Sequence, residues 1–176
     1  MINRIKKLIL EIKLNFASSD RKAELYRKHF GIKIGSRCRF TGKITWATEP
    51  YLIEIGDDVT ITQNVTFHTH DGGVGLFRSE YPGINVFGRI KIGNQVFIGS
   101  HVIIMPGVTV GNNVIIGAGS VVTKNLPDDS VCAGVPCRPI SSLEEYKNKV
   151  LKKAVFINHT DPEKRKMEIL EKIKSK

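Results

Sequence analysis

The stretch IGNQVFIGSHVIIMPGVTVGNNVIIGAGSVVTK, residues 92–124, repeats a branched aliphatic residue every six positions. The first series is Ile92, Ile98, Ile104, Val110, Ile116 and Val122, and a parallel series is Val96, Val102, Val108 and Val114. This period differs from the roughly 3.6 residues of an α-helix and from simple strand alternation. It indicates short strands joined by tight turns, with the aliphatic residue of each repeat pointing into a narrow core. The sequence therefore predicts a parallel β-helix.

Weaker copies of the repeat extend the pattern toward the N-terminus. The residues at this spacing are Ile34, Phe40, Trp46, Leu52, Ile55, Ile61 and Phe67. A glycine follows the inward residue at four later positions, namely Gly93, Gly99, Gly111 and Gly117. Glycine and asparagine tolerate positive φ angles, so we expect both residue types at the corners where the chain turns. The predicted coil covers residues 31–140.

The composition excludes several classes of protein. The chain has 27 Lys and Arg residues against 17 Asp and Glu residues, and most of the basic residues lie in 1–39 and 141–176. No basic stripe with interleaved aromatic residues appears, so we predict no nucleic-acid partner. Cys38, Cys132 and Cys137 have no disulfide or metal spacing, which favours buried thiols in a reducing compartment. No apolar run approaches the roughly 20 residues of a membrane span. We predict a cytoplasmic protein.

Both flanks of the coil show helical patterns. Residues 1–30 begin with apolar residues spaced along one helix face, and lysine and arginine residues line the other face. Such a helical segment would either cover the open end of the coil or lie on anionic lipid at the inner face of the membrane. Residues 141–176 predict a C-terminal helical extension, whose second helix has Pro162 near its start.

The six-residue rhythm breaks between Phe67 and Ile90. The intervening residues 68–89, HTHDGGVGLFRSEYPGINVFGR, are rich in glycine and in charged and aromatic side chains. An insertion into a rigid coil becomes an exposed loop, and such loops often carry functional residues. We therefore expect the functional site beside this loop.

Residues 92–140, which end in GAGSVVTKNLPDDSVCAGVPCRPI, resemble the hexapeptide-repeat acetyltransferases, especially their galactoside, maltose and polysaccharide O-acetyltransferase branches. The resemblance implies a left-handed coil, an exception to the right-handed crossover rule. It also implies a homotrimer with active sites between subunits and an enzyme that uses acetyl-CoA as acyl donor. The acceptor implied is a sugar, a nucleotide-linked sugar or a precursor of capsule, lipopolysaccharide or another polysaccharide.

Acyl transfer from a thioester requires a base that takes the proton of the acceptor. Histidine suits this role, because its unperturbed pKa of about 6.5 lies near neutral pH. In the resembling families the catalytic histidine opens the extended loop, which here identifies His70 as the base. His68 and His101 are the alternative bases. Asp71 is expected to orient the imidazole or to hold the acceptor, with a backbone carbonyl as the alternative partner of His70.

The same resemblance assigns the groove for acetyl-CoA to the coil. The residues implied are Ser100, Gly117, Ala118, Thr123, Lys124 and Arg138. Ser100 is expected near the thioester, while Lys124 and Arg138 are expected near the phosphates, whose oxygens suit basic side chains.

Recognition of the acceptor is expected to differ from that of the galactoside enzymes. Those enzymes place an asparagine from an earlier coil beside the base, and FTGKITWATEP, residues 40–50, offers none. Aromatic stacking and charge-assisted hydrogen bonds are the expected means of holding a sugar. The candidate sugar-facing residues are Trp46, Phe77, Arg78, Glu80 and Tyr81.

Three other functions stay open from the sequence alone. The acceptor could be an amine, as in an N-acetyltransferase acting on an amino sugar. The γ-type carbonic anhydrases share the coil and bind zinc through three histidines, but the spacing of His68 and His70 differs from theirs, and we predict no metal. The third alternative is a non-catalytic binding scaffold.

Overall fold

The aliphatic repeats fold into short strands that wind around a common core. The computed structural model describes residues 2–174, with side chains from Leu8 onward, and contains fourteen strands in that range. They are β1 Lys33–Ile34, β2 Arg39–Phe40, β3 Ile44–Thr45, β4 Ile53–Ile55, β5 Thr60–Ile61, β6 Val65–Phe67, β7 Ile90–Ile92, β8 Phe97–Ile98, β9 Ile103–Ile104, β10 Thr109–Val110, β11 Ile115–Ile116, β12 Val121–Val122, β13 Ser130–Ala133 and β14 Arg138–Ser142.

Successive strands belong to three sheets, which form the three sides of the coil. Sheet A has the order β1-β4-β7-β10, sheet B the order β14-β13-β11-β8-β5-β2, and sheet C the order β12-β9-β6-β3. The pairs along the coil are parallel and in register, so that Ile55 lies beside Ile92, which lies beside Val110. The antiparallel strand β14 follows β13 at the end of sheet B. The predicted left-handed parallel β-helix is confirmed.

The inward residues of the repeats form the core. Ile61, Ile98 and Ile116 stack in adjacent strands of sheet B and have no exposed surface. Each fully buried aliphatic side chain of this size stabilises the fold by roughly 1.5–3 kcal/mol. The three cysteines, Cys38, Cys132 and Cys137, are buried and free, as the sequence predicted. The core therefore contains a column of stacked inward residues on each sheet, and the buried valines of the second series, such as Val96, Val102 and Val114, pack beside these columns.

A ladder of side-chain hydrogen bonds joins the coils at the corner between sheets A and B, here called the A–B corner. The N–H of Ser36 donates to Asp57 Oδ1 (2.6 Å), and the N–H of Asp57 donates to Asn94 Oδ1 (2.8 Å). The N–H of Asn94 donates to Asn112 Oδ1 (2.9 Å), and that of Asn112 to Asp128 Oδ1 (2.8 Å). The Ser36 N–H is also the main reason that the pKa of Asp57 lies below its ordinary value. The ladder gives each corner amide a partner on the next coil.

The glycines before these residues leave room for the ladder. A Cβ at Gly93 would lie 2.5 Å from Gly111 O and 2.9 Å from Asn112 Oδ1. The positive φ angles of this corner belong instead to residues such as Gln95 and Asn113. The prediction of positive φ was therefore right for Asn64 and Asn113. It was wrong for Gly93 and its counterparts, which are needed for close approach of neighbouring coils.

Two N-terminal helices precede the coil, α1 Ile2–Phe16 and α2 Ser19–Phe30. Tyr26 of α2 is buried and packs edge-on against Phe40 of the core, with ring centroids 5.3 Å apart. Leu14 of α1 also packs against the core. The helical segment predicted for residues 1–30 is confirmed, and the contact with the core that was expected of a cap is made mainly by α2.

The C-terminal residues form the helices α3 Leu143–Leu151 and α4 Pro162–Lys174. They lie largely in a second compact unit, Glu144–Lys176, while Met1–Leu143 form the first. Glu168 Oε2 accepts from the N–H of Asn158 (3.0 Å) and of His159 (3.2 Å), and Lys172 is the main reason that the pKa of Glu168 falls to about 2. The Glu168 carboxylate that accepts these hydrogen bonds is therefore protonated only as the pH falls toward about 2. Among the described helices, none is long and apolar enough to span a bilayer.

We expect Gly93→Ala to destabilise the coil by roughly 1–3 kcal/mol, because the new methyl group meets backbone atoms of the next coil. Gly75→Ala is the control, since a Cβ there meets nothing within 4 Å. Urea denaturation at a fixed protein concentration measures both changes. Equal midpoints for the two variants would contradict the close-approach argument.

Candidate active site

The inserted loop leaves the coil and returns to it at the corner between sheets C and A, here called the C–A corner. The N–H of Gly88 donates to Thr69 O (2.8 Å), and His70 lies opposite Phe87 in an antiparallel bridge. Residues 71–86 extend outward from these two paired backbone segments. His70 is therefore held at the base of the loop, where the backbone is fixed on both sides.

Glu49 reaches the imidazole of His70 from the preceding coil. Its Oε2 lies 3.1 Å from Nδ1 of His70. The same oxygen accepts a hydrogen bond from Thr48 Oγ1 (2.7 Å) and another from Thr69 Oγ1 (3.0 Å). Thr48 Oγ1 also lies 3.2 Å from Nδ1. Four side chains from two coils thus form one hydrogen-bonded network around the imidazole.

This network determines which nitrogen of His70 carries the proton. A carboxylate accepts hydrogen bonds and does not donate them, so Nδ1 must be the donor. In the neutral imidazole Nε2 is then free to accept a proton. The imidazole is 39% exposed and the Glu49 side chain 21% exposed, so the imidazole can be reached from solvent while its partner is mostly covered.

Glu49 stays ionised at neutral pH. The hydrogen bond from Thr48 is the largest cause that lowers its pKa, and the bonds from Thr69 and His70 lower it further. Because its pKa is lowered, the carboxyl group stays charged even below the pH range in which a glutamate ordinarily titrates, and it is protonated only as the pH falls through the lowered pKa. The orienting hydrogen bond is therefore available throughout the neutral range.

Asp71, the predicted orienting residue, makes a different contact. Its Oδ1 accepts a hydrogen bond from the N–H of Gly73 (2.8 Å) and caps the 3-10 helix Gly72–Phe77 within the loop. The expectation that Asp71 orients the imidazole was wrong, because neighbours in an extended chain point in different directions and Glu49 occupies Nδ1.

The alternative bases lie apart from the Glu49–His70 pair. His68 is exposed two residues before His70. His101 is exposed at the corner between sheets B and C, here called the B–C corner, with a φ of 62°. The B–C and C–A corners lie on opposite edges of sheet C, so one chain does not bring His101 to Glu49. Within residues whose side chains are described, no three His, Cys, Asp or Glu groups converge as metal ligands.

The residues predicted to contact acetyl-CoA fall into two groups. Those at the B–C corner are Ser100, Gly117 and Ala118. Those at the C–A corner are Thr123 and Lys124, both exposed. Arg138 is exposed on β14. A single chain therefore presents the predicted thioester end and His70 on different edges of sheet C.

The candidate sugar-facing residues divide into loop residues and one packing residue. The exposed loop residues are Phe77, Arg78, Glu80 and Tyr81. Trp46 stacks on Phe67 with ring centroids 5.0 Å apart and an interplanar angle of 22°, and Tyr26 packs edge-on against it at 5.0 Å. These two contacts give Trp46 a role in packing.

Glu49 is the site residue that sequence reasoning missed. It lies in WATEP, residues 46–50, where the repeat is weakest and where only an asparagine was sought. One turn of the β-helix takes 21 residues at this point, since Ile44 lies beside Val65 and Glu49 is 21 residues before His70. Counting one coil back from His70 would have found this carboxylate.

Comparison with known proteins gives consistent matches. A family model for the bacterial transferase hexapeptide (six repeats) matches residues 89–124. Protein CapG of Staphylococcus aureus is 46% identical over 172 residues, which cover 97% of each chain. A galactoside acetyltransferase in complex with coenzyme A aligns with a TM-score of 0.60 and 31% identity over 82% of both chains. A maltose O-acetyltransferase from Clostridium difficile 630 aligns with a TM-score of 0.54 and 33% identity, over 77% of this chain and 83% of that one.

The Glu49 contact predicts the tautomer of His70. In the native protein the neutral imidazole should carry its proton on Nδ1, and Glu49→Gln should shift the population toward the Nε2–H form because the carboxylate acceptor is gone. Nitrogen chemical shifts of labelled histidine measure this population. Asp71→Asn is the control, and a shift of equal size in that variant would contradict the assignment.

Proposed function

Because the chain belongs to the hexapeptide-repeat acetyltransferase family and is an acyltransferase that uses acetyl-CoA, we propose that it acetylates a hydroxyl of a sugar or polysaccharide precursor. The hydrogen bond between Glu49 and His70 carries the proposal, because it leaves Nε2 as a free base. The sugar acceptor is supported by two similar structures, which are a galactoside acetyltransferase and a maltose O-acetyltransferase.

His70 would act as general base on the acceptor. Nε2 accepts the hydroxyl proton while the hydroxyl oxygen attacks the thioester carbonyl carbon. The resulting imidazolium donates through Nδ1 to the carboxylate of Glu49, which stabilises the positive charge. The tetrahedral intermediate then collapses, the carbon–sulfur bond breaks, and the imidazolium returns its proton to the sulfur of coenzyme A. Glu49 is a positioning residue in this scheme.

The loop side chains would hold the sugar beside His70. Phe77 and Tyr81 are 53% and 55% exposed and are suited to stacking on a sugar ring. Arg78 and Glu80 offer charge-assisted hydrogen bonds to hydroxyl groups. Asp71 is available for the same purpose beyond its bond to Gly73.

The binding of acetyl-CoA is proposed along the corners of the coil. Ser100 and Ala118 would lie beside the thioester and the pantetheine arm, and Lys124 and Arg138 would contact the phosphates. Because Ala118 and His70 lie on opposite edges of sheet C, the site is proposed to form between two subunits of a homotrimer. One subunit would supply the B–C corner and its neighbour the C–A corner with the loop.

We expect His70→Ala to lose at least about a hundredfold in turnover, the usual contribution of a general base. Binding of acetyl-CoA should be unchanged, since His70 contacts the acceptor. The measurement is coenzyme A release with a panel of free sugars, nucleotide-linked sugars and oligosaccharides. His68→Ala is the control and should stay within about threefold of the native rate. Full activity of His70→Ala would reject the proposed mechanism.

The intersubunit site is tested with two variants, His70→Ala and Ala118→Trp. The indole of the second would fill the proposed groove for the pantetheine arm. Each variant alone should be inactive. After subunit exchange at equal concentrations, each mixed trimer should have one site with an intact base and an intact groove, which is about one quarter of all sites. No recovery of activity, with exchange confirmed by mass, would place the whole site in one chain.

Peripheral membrane contact through α1 is the second part of the proposal. Leu14 of α1 packs inward, whereas Leu8, Ile9, Ile12 and Phe16 are 57%, 46%, 51% and 89% exposed along one side of the helix. The sequence of α1 contains four basic residues and one acidic residue. Copies of such a helix repel one another, whereas anionic lipid attracts them. This complementarity favours a lipid surface over a second copy of the chain.

Ile12→Asp should weaken binding to phosphatidylglycerol vesicles by at least about tenfold, because an apolar side chain would no longer be buried in the bilayer interface. Vesicle sedimentation measures the binding, and Ile173→Asp on α4, at a residue 60% exposed, is the control. Two results together would contradict the proposal: the native protein does not bind vesicles, and Ile12→Asp changes the oligomeric mass. In that case α1 would contact another subunit.

A further inference from the structure

A basic groove lies on the outer face of sheet A, next to the C–A corner. It is shallow and open to solvent, and its polar lining consists of the basic residues Lys33, Arg89 and Lys91 together with Tyr51 and Glu54. Tyr51 is 62% exposed and follows Glu49 by two residues, while Arg89 follows Gly88, which bonds to Thr69. The groove therefore begins on the same two chain segments that hold the Glu49–His70 pair.

The basic residues of the groove lie close along the chain to the residue that contacts the imidazole. Ile90 and Ile92 of β7 are buried in the core, so Lys91 between them lies on the outer face. Arg89, just before the strand, is exposed. Phe87 is 54% exposed, and the centroid of its ring lies 6.4 Å from the centroid of the His70 ring. Phe87, Arg89 and Lys91 are all exposed, and this series of residues starts beside the imidazole. Arg89 is two residues, or roughly 7 Å, along the chain from Phe87.

The charges of the groove do not cancel. Glu54 lies opposite Lys33 on one side and Lys91 on the other, and its Oε2 is 3.7 Å from the Lys33 ammonium. Three cationic side chains therefore face one carboxylate. Arg89 stands nearest to the catalytic corner, outside this Lys–Glu–Lys row. This excess of positive charge would attract an anion.

We propose, on the basis of the proposed function, that the acceptor carries an anionic group, which Arg89 and Lys91 bind while the hydroxyl to be acetylated lies at His70. The anion is a phosphate or a carboxylate, since the guanidinium of arginine matches the oxygens of both. The source is the phosphate of a sugar phosphate or nucleotide-linked sugar, or the carboxylate of an acidic sugar.

The test compares matched acceptors that differ in one anionic group. A hexose is paired with its 1-phosphate and its nucleotide-linked form, and a neutral oligosaccharide is paired with one that contains a uronic acid. The native enzyme should prefer the anionic member of at least one pair, and the preferred pair identifies the source. Arg89→Ala should raise the KM for that acceptor at least about tenfold and leave the KM for acetyl-CoA unchanged.

Arg39→Ala is the matched control, because Arg39 is exposed on β2 of sheet B, a different face of the coil. It should leave both KM values unchanged. Equal use of neutral and anionic acceptors by the native enzyme would overturn the proposal and leave the proposed function intact. So would an anionic preference that survives in Arg89→Ala.

Calorimetry separates the two proposals if no acceptor is acetylated, an outcome that rejects the proposed function itself. Binding of the hexose 1-phosphate or the uronic-acid oligosaccharide that is weakened at least about tenfold in Arg89→Ala would still support the anion site. Equal binding by the native protein and the variant, or no binding by either, would overturn it.

Discussion

Hydrogen bonding between successive coils governs the rest of this structure. Each strand is only two to five residues long, so no strand is stable without the strands beside it in the next coils. The coils must therefore keep one spacing at the sides and also at the corners. At the A–B corner this requirement is met by the side-chain ladder from Ser36 to Asp128. Gly93 and its counterparts are small because a methyl group there would separate the coils.

The same regularity explains where chemistry can occur. A side chain on a strand points either into the aliphatic core or onto a flat sheet, and neither position by itself encloses a substrate. The C–A corner differs, because one coil inserts a loop there and the coil before it contributes Thr48 and Glu49. Since the coils are in register, Glu49 is held against His70 by the backbone of the fold. The geometry of the Glu49–His70 pair is thus a consequence of the number of residues in one turn of the coil.

The parts of the structure that follow from periodicity could be predicted from the sequence. The inward series from Ile92 to Val122 determined the coil, and the interruption after Phe67 located the loop. The partner of His70 could not be found in this way, because Asp71 is adjacent in sequence and Glu49 is adjacent only in the folded coil. Trp46 was ambiguous for a related reason, since aromatic residues suit both sugar stacking and packing, and only its contact with Phe67 distinguishes these roles.

The closed base of the loop has an evolutionary consequence. The backbone bond between Gly88 and Thr69 and the bridge between His70 and Phe87 complete the coil on both sides of residues 71–86. Insertions, deletions or wholesale replacement of this segment would leave the scaffold and the imidazole undisturbed. Related proteins with the same coil can therefore carry quite different segments at this position without any rebuilding of the neighbouring strands.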